Sequence, residues 1–335
     1  MRYTRTGQTN GIVNTAAVIA ADLRGRDTGL HRPHIKGLAA LAASMLACRS
    51  VNTSELLMGL PRETQDPDSR FRYINRLLKN PLIDPWRVQR GFVPQLAAAA
   101  AAGGQTVVLM MDQSKISNGF ECLMVAMRLG GRAIPLLWKI QKTGGPIGFD
   151  LQKPLLDTVG AMLSELANNA QIMLAGDRFY GTAALIQWCQ NQHWGYRLRL
   201  KDNLILQHEG GEITTGDAVK ANMTAILNAE LNKTGVKTHI GILHEKGHKE
   251  PWIIAMSDPP TKERVLDYEM RWGIECMFSD LKSRGFGITQ THLKHADRIE
   301  RLMLIMTIAL YWAVSTGMQP PKKPLDHTKK KPHEA

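Results

Sequence analysis

The residue types best suited to catalysis occur together in Tyr268–Lys282, which reads YEMRWGIECMFSDLK. Within it, Tyr268, Arg271, Glu275 and Lys282 are spaced 3, 4 and 7 residues apart. In an α-helix, which turns about 100° per residue, these four side chains fall within an arc of roughly 60°. One helix face would then present a carboxylate flanked by two cations and a phenol. Such a face suits a metal ion and the phosphates of a nucleic acid strand.

An ordinary surface ion pair explains part of the same pattern. Arg271 and Glu275 are related as residues i and i+4. A pair at that spacing adds only a few tenths of a kcal/mol to an exposed helix. A catalytic role for Glu275 therefore requires further carboxylates elsewhere in the chain.

Two aspartates follow short apolar runs and are candidates for those carboxylates. Thr106–Met111 (TVVLMM) predicts a buried strand that ends at Asp112, and Ile172–Ala175 predicts another that leads to Asp177. Aspartate often ends a strand as a turn residue, so each alone indicates little. If the strands are neighbours, the two carboxylates and Glu275 form an all-oxygen ligand set, which suits Mg²⁺ or Mn²⁺ rather than zinc.

The predicted elements between residues 101 and 203 follow an order typical of an RNase H-like core. Three strands, the last two joined at Gly130-Gly131, are followed by a helix, the strand before Asp177, a helix and a last strand. This order predicts an α/β fold with a mixed five-stranded sheet and flanking helices. Residues 204–257 contain alternating runs and glycine turns instead, and they predict a β-rich insertion.

The first 100 residues predict a helical region with a positive charge. They hold 14 Lys and Arg against 7 Asp and Glu, whereas the middle of the chain is nearly balanced. One segment, SRFRYINRLLKNPLID, predicts an amphipathic basic helix that contacts DNA. A solvated charged face is the common alternative for such a run. The cations of this helix are Arg70, Arg72, Arg76 and Lys79.

The composition argues against several other classes of protein. The 4 cysteines are far apart and form no CxxC pair, which argues against a disulfide framework or a zinc ribbon and favours a reducing cytosol. The start of the chain has no signal-peptide pattern, and the apolar runs are too short to span a bilayer. We therefore expect no membrane partner.

The spacing Y-x2-R-x3-E-x6-K resembles the signature of the DDE transposases of bacterial insertion sequences, in the group named IS-four. The resemblance extends in patches over residues 65–316 and is strongest at 268–282. It implies metal-dependent cleavage of DNA at transposon ends, followed by strand transfer. Asp112, Asp177 and Glu275 would be the catalytic residues and the ligands of two Mg²⁺ or Mn²⁺ ions.

The resemblance also implies DNA contacts around the carboxylates. Tyr268, Arg271 and Lys282 would contact phosphates beside the cut. Trp252 would either stack on a base flipped out of the DNA or fill a small strand core, and the sequence favours neither. The other expected contacts are those of Arg178, His292 and the basic helix residues Arg70, Arg72, Arg76 and Lys79.

One segment departs from the family pattern. The family has Asp-Arg-Gly followed by Phe or Tyr, whereas this chain has Phe179 and Tyr180 before Gly181. The departure keeps Asp177 and Arg178 but changes the turn that would hold the carboxylate.

The chain is thus expected to act on double-stranded DNA, namely transposon terminal inverted repeats and target DNA, as a homodimer in a synaptic complex. The expected location is the bacterial cytoplasm, on the nucleoid. An inactive transposase-derived DNA-binding protein and a stand-alone RNase H-like nuclease are the alternatives. The predicted regions are a DNA-binding region at 1–100, the catalytic core at 101–203 and 258–317, the insertion at 204–257 and a basic disordered tail at 318–335.

Overall fold

One mixed β-sheet forms the centre of the computed structural model, which describes residues 3–164, 170–220, 222–245 and 249–317. The strands found in these residues are β1 (Val107–Lys115), β2 (Phe120–Leu129), β3 (Arg132–Lys142), β4 (Ile172–Gly176), β5 (Gly195–Arg199), β6 (Ile205–His208), β7 (Gly211–Thr214), β8 (Asn222–Leu231), β9 (Lys237–His244) and β10 (Trp252–Met256). Their order across the sheet is β3-β2-β1-β4-β5-β10-β9-β8-β6-β7.

Strands β1 to β5 form one half of this sheet. β2 pairs antiparallel with β1 and β3, whereas β4 runs parallel to both β1 and β5. The helix α7 (Phe149–Ser164) leads into β4, and α8 (Ala183–Asn191) makes the crossover that the parallel pair β4 and β5 requires. The predicted α/β class is confirmed, and the order β3-β2-β1-β4-β5 is the one expected of an RNase H-like core.

The predicted sheet of five strands is too small. β10 pairs antiparallel with β5, and β9, β8, β6 and β7 extend the same sheet beyond it. The free edge of β5 offers unpaired backbone groups that β10 satisfies. The strands predicted as a β-rich insertion therefore share a sheet with the core strands, and β10 is brought next to β5.

The helices that precede β1 pack against the last helix of the chain. α2 contacts both α1 and α11, and α11 also contacts β3 and α4. Residues 1–30, at the start of the predicted helical region, include the long helix α1. These helices are α1 (Tyr3–Gly25), α2 (Arg32–Cys48), α3 (Thr53–Gly59), α4 (Pro67–Lys79), α5 (Pro85–Arg90), α6 (Val93–Ala100) and α11 (Ala296–Gly317). The predicted tail at 318–335 lies outside the described residues.

Helix α11 is apolar over most of its length. By length and composition it could cross a membrane, with a mean hydropathy of 1.3, although the sequence pattern suggests no run long enough. In the structure, 61% of its most apolar window is buried inside the protein. That burial fits a core helix.

Strand β1 is longer than its apolar run predicts. Asp112 lies inside β1 rather than at its end, because the backbone pairing with β2 continues to Lys115. The pairing with β4 ends earlier, at Met111 and Gly176. The apolar run ends at Asp112, whereas the backbone hydrogen bonds between β1 and β2 continue to Lys115.

The signature residues do not share one continuous α-helix, and this prediction is wrong. Tyr268 and Arg271 lie in a 3-10 helix, Asp267–Arg271, and α10 (Trp272–Leu281) begins directly after it. Lys282 is the residue that ends α10. A 3-10 helix has three residues per turn rather than 3.6, so the narrow arc expected of an unbroken α-helix does not apply.

Candidate active site

The register of β1 and β4 puts Asp112 and Asp177 side by side. The last parallel pair joins Met111 to Gly176, and the two aspartates are the next residues of their chains. β1 then continues along β2, whereas the chain after β4 enters a turn. Adjacent parallel strands that diverge leave a crevice at their carboxyl ends, which is a common position for a site.

The turn after β4 fixes Asp177 despite its unusual sequence. The carboxylate Oδ1 of Asp177 accepts the N–H of Phe179 at 2.9 Å, and its carbonyl accepts the N–H of Tyr180 at 3.0 Å. Tyr180 is buried, and a Cβ added at Gly181 would clash with the carbonyl oxygen of Arg199. The DRFYG segment therefore holds the carboxylate with a buried tyrosine and a glycine packed on β5.

Glu275 reaches the site from α10. This helix packs against β1 and β3 with a buried face that includes Ile274, Met277 and Phe278. The Glu275 side chain is 38% exposed, at the margin of that face. The helix thus brings a third carboxylate to β1, from a part of the chain far from the first two.

The guanidinium of Arg271 joins two of these carboxylates. One nitrogen lies 3.4 Å from Oδ2 of Asp112, and the other donates a hydrogen bond to Oε1 of Glu275. The side chain of Arg271 is only 10% exposed. Burial lowers the pKa of Arg271, but the neighbouring Tyr268, Asp112 and Glu275 more than offset this, so the pKa is raised. Arg271 is therefore a fixed, buried cation at the centre of the site.

Asp112 is the carboxylate whose environment is most perturbed. Burial raises the pKa of Asp112 to about 7, and the nearby Asp177 and Glu275 also act to raise it, while Arg271 opposes them. Asp112 thus experiences the charges of both other carboxylates. An additional cation beside Asp112 would relieve this repulsion and favour its ionised form.

The oxygen ligands of Asp112, Asp177 and Glu275 suit a hard divalent cation, although the three side chains do not converge on one point in this structure. Across residues 3–164, 170–220, 222–245 and 249–317, no three His, Cys, Asp or Glu side chains stand close enough to hold a metal ion. Carboxylate oxygens are nevertheless the ligands that Mg²⁺ and Mn²⁺ prefer, and the charges of Asp177 and Glu275 both act on the buried Asp112. In this structure Arg271 supplies the positive charge between two of them.

Lys282 is held by a residue of β1. Its Nζ donates a hydrogen bond to Oγ of Ser114 at 2.5 Å. Burial lowers the pKa of Lys282, with Glu121, Cys122 and Asp112 acting in the opposite direction. Side chains two residues apart on a strand share a face, so Ser114 and Asp112 point to the same side of the sheet. This fixes the Lys282 amine beside the carboxylates.

Tyr268 and Trp252 contact each other through their rings. Their ring centroids are 5.3 Å apart in an edge-to-face arrangement. Tyr268 is 5% exposed, and its hydroxyl has no hydrogen-bond partner within the described part of the chain. Trp252 is partly buried against a small apolar cluster that also includes Ile254 and Val265. In this structure Trp252 packs as a residue of a small strand core, which is one of the two interpretations left open. Stacking on a DNA base stays a prediction.

The basic helix α4 divides its cations between two roles. Arg70, predicted to contact DNA, is 6% exposed, and its guanidinium donates to the carbonyls of Leu57, Arg62 and Thr64 and to the side chain of Gln65. Its donors therefore bind the chain itself, which revises that expectation. The other three cations face solvent, namely Arg72, Arg76 and Lys79.

Other predicted DNA contacts lie on the surface. Arg178 and His292 are both exposed, Arg178 directly after Asp177 and His292 in the loop before α11. Two exposed aromatic residues were not predicted as part of this surface, although each lies next to a predicted site residue in the sequence. Phe179 is 49% exposed two residues after Asp177, and Trp272 is 64% exposed directly after Arg271.

Two more residues at the site were not predicted. Ser114 could have been found from its position two residues after Asp112 in a strand. Arg199 follows Leu198, which pairs with Gly176, so Arg199 is level with Asp177 across β4 and β5. The sequence predicts a strand that contains Arg199, but it does not indicate which strand lies beside it.

The chain is similar to a known family over part of its length. Residues 151–312 match the model described as Transposase DDE domain, a span that includes Asp177 and Glu275 and excludes Asp112. The match supports a DDE transposase. No curated protein matches the chain.

Solved structures resemble the chain only distantly. Human ENDOV is 10% identical, with 59% of this chain and 97% of that chain covered and a TM-score of 0.29. Marinitoga piezophila Argonaute, in complex with guide RNA and target DNA, is 11% identical, with 73% of this chain and 34% of that chain covered and a TM-score of 0.24. TM-scores this low carry no argument about fold or function.

Proposed function

We propose that this chain, whose residues 151–312 match the transposase DDE domain, is a DNA transposase that cuts DNA at transposon ends and joins them to a target. The observation that carries the proposal is that Arg271 joins Asp112 to Glu275, while the strand register puts Asp177 beside Asp112. These carboxylates come from β1, the end of β4 and α10. Carboxylates brought together from such distant segments, at the ends of parallel strands, favour a catalytic site over a surface ion pair.

Asp112, Asp177 and Glu275 would hold two Mg²⁺ or Mn²⁺ ions. When bound, such ions supply charge stabilisation to the attacking and leaving oxygens of an in-line displacement at phosphorus. The residues themselves prepare that chemistry. Asp112 has a pKa raised to about 7, and a second positive charge beside it would favour its ionised form at neutral pH.

The cations of the site act on the DNA backbone. Lys282, fixed by Ser114, is positioned to neutralise a phosphate beside the cut. Arg271, which pairs with Asp112 and Glu275 in the free protein, would be available to a phosphate if metal ions took its place beside them. The guanidinium carbon of Arg271 lies over the ring of Tyr268, 5.5 Å from the ring centroid, so the ring stabilises this cation.

One site serves all the proposed steps, because each is the same displacement with a different nucleophile. Water attacks in the first nick, and a DNA 3′-hydroxyl attacks in strand transfer. A cut-and-paste route through a DNA hairpin would use the 3′-hydroxyl against the opposite strand. The exposed rings of Phe179 and Trp272 offer flat apolar surfaces to unpaired bases beside the site.

The helical region before β1 would hold the transposon end. Arg72, Arg76 and Lys79 are exposed on one face of α4 at i, i+4 and i+7. Such a row suits the phosphates of a DNA duplex. Joining two ends requires two copies of the chain in a synaptic complex. We place this activity in the bacterial cytoplasm, on the nucleoid.

A cleavage assay tests the proposed function. Wild-type protein is incubated with a duplex that carries the DNA flanking its gene, in Mg²⁺, in Mn²⁺ or in EDTA, together with a supercoiled target plasmid. We expect metal-dependent cuts at the terminal repeats, 3′-hydroxyl products and joining of those ends to the plasmid. Binding without cutting in either metal would contradict the proposal and favour an inactive DNA-binding derivative. Cutting at any sequence, without joining, would favour a stand-alone nuclease.

A further inference from the structure

Two arginines beside the site converge on one carboxylate oxygen. Oε2 of Glu250 accepts a hydrogen bond from Arg178 at 3.0 Å and another from Arg199 at 2.9 Å. Arg199 also lies 3.4 Å from the carbonyl of Pro251. Two guanidinium groups held around a single anionic oxygen form the arrangement in which proteins bind phosphate.

The sheet places this pair next to the catalytic carboxylates. Arg199 is level with Asp177 because Gly176 pairs with Leu198 in the preceding position. Arg178 directly follows Asp177 in the chain. A phosphate bound by both arginines would therefore lie one strand away from Asp177 and two strands away from Asp112.

The ion pairs of Glu250 are exposed enough for another anion to displace its carboxylate. Its side chain is 60% exposed, and that of Arg178 is 49% exposed, whereas Arg199 is only 19% exposed. Exposed ion pairs contribute little to stability, so they are not an adequate reason to hold two like charges together. Glu250 precedes β10 in a loop, from which it can leave without disturbing the sheet.

We propose that Arg178 and Arg199 form a phosphodiester-binding site and that Glu250 occupies this site until DNA displaces it. The inference rests on the proposed function, since the phosphodiester is that of the DNA substrate. Glu250 thereby weakens binding to any DNA that does not supply a phosphate at this position. It also keeps two arginines ordered beside the carboxylates in the free protein.

The test is DNA binding in EDTA, where no cleavage occurs, with a fluorescent duplex of flanking DNA at several salt concentrations. Glu250→Gln should tighten binding roughly two- to fivefold, the range expected when a competing exposed ion pair is removed. Its salt dependence should also steepen, by up to about 0.9 in the slope for each additional phosphate that the arginines neutralise. Glu209→Gln, the same charge change at a side chain that is 84% exposed, is the matched control and should leave affinity unchanged.

A second pair of variants distinguishes competition between Glu250 and DNA for Arg199 from a general effect of removing a negative charge. The tighter binding of Glu250→Gln should disappear when Arg199→Ala is also present, and Arg199→Ala alone should weaken binding. If wild type binds DNA and Glu250→Gln behaves like Glu209→Gln, or loses thermal stability without binding more tightly, the inference is overturned and the proposed function stands. If wild type does not bind the duplex at all, both are overturned.

Discussion

The guanidinium of Arg271 lies 3.4 Å from the carboxylate of Asp112, although 159 positions separate them in the chain. The same guanidinium donates to Glu275, one helical turn away. A single buried cation therefore connects the strand carboxylate to the helix carboxylate. A residue that the signature would assign to DNA is, in the free protein, the counter-ion of the site.

This arrangement predicts that Arg271 competes with divalent cations. Arg271→Ala should tighten Mn²⁺ binding by the free protein, roughly three- to tenfold, because it removes a positive charge from Asp112 and Glu275. DNA cleavage by the same variant should fall, since a phosphate contact is lost. Titration calorimetry with Mn²⁺ measures the first effect. Arg271→Lys, which keeps the charge, should bind Mn²⁺ nearly as wild type does, and unchanged or weaker binding by Arg271→Ala would refute the competition.

Cation binding should depend on pH through Asp112. Its pKa of about 7 lies above the ordinary value of 3.8, so below pH 7 a cation must displace a proton. Affinity for Mn²⁺ should therefore rise with pH up to about 7, close to tenfold per unit, and level off above it. Calorimetry in buffers of different ionisation enthalpy would detect the released proton. An affinity that is flat between pH 5.5 and 7, with no proton released, would contradict this assignment.

Ser114 should act as a positioning residue for Lys282. Ser114→Ala removes the hydroxyl that holds the amine at 2.5 Å, so cleavage should slow by about tenfold, while DNA binding in EDTA stays close to wild type. Ser114→Thr keeps the hydroxyl and should restore most of the rate. A split between rate and affinity distinguishes positioning from a general loss of structure. Equal rates for Ser114→Ala and wild type would remove Ser114 from the site.

The cations of α4 should separate into a structural and a DNA-binding group. Arg70→Ala removes the donors from three partly buried carbonyls and should cost about 2–4 kcal/mol in the free energy of unfolding. Arg76→Ala, on the exposed face, should change stability by less than about 0.5 kcal/mol and reduce the salt slope of DNA binding by about one. Denaturant unfolding and binding titrations of both variants measure this. Equal effects of the two substitutions on stability would refute the division.

Much of the arrangement around Asp112 and Asp177 could be predicted from the sequence. Each aspartate follows an apolar run short enough to be a buried strand, and the order of elements fixes those two strands as neighbours. The position of Asp112 inside β1 could not be predicted, because apolar periodicity reports side-chain burial and not the extent of backbone pairing.

The remaining differences have local causes. The spacing of Tyr268 and Arg271 fits an α-helix, and nothing in the side chains marks the 3-10 helix, Asp267–Arg271, that contains both residues. The burial of Arg70 had a signal, since it lies four and seven residues before Ile74 and Leu77, both buried. The pairing of β10 with β5 is a long-range contact that alternation within either strand does not encode.

The most direct test of the site is strand cleavage by Glu275→Gln, compared with wild type on the same flanking DNA in Mn²⁺. Glu269→Gln makes the same charge change at an exposed position of the same segment and serves as the control. We predict that Glu275→Gln loses cleavage by at least about 100-fold while its DNA binding is retained, as expected when a metal ligand is removed. Cleavage by Glu275→Gln at the rate of wild type and of Glu269→Gln would contradict the three-carboxylate site.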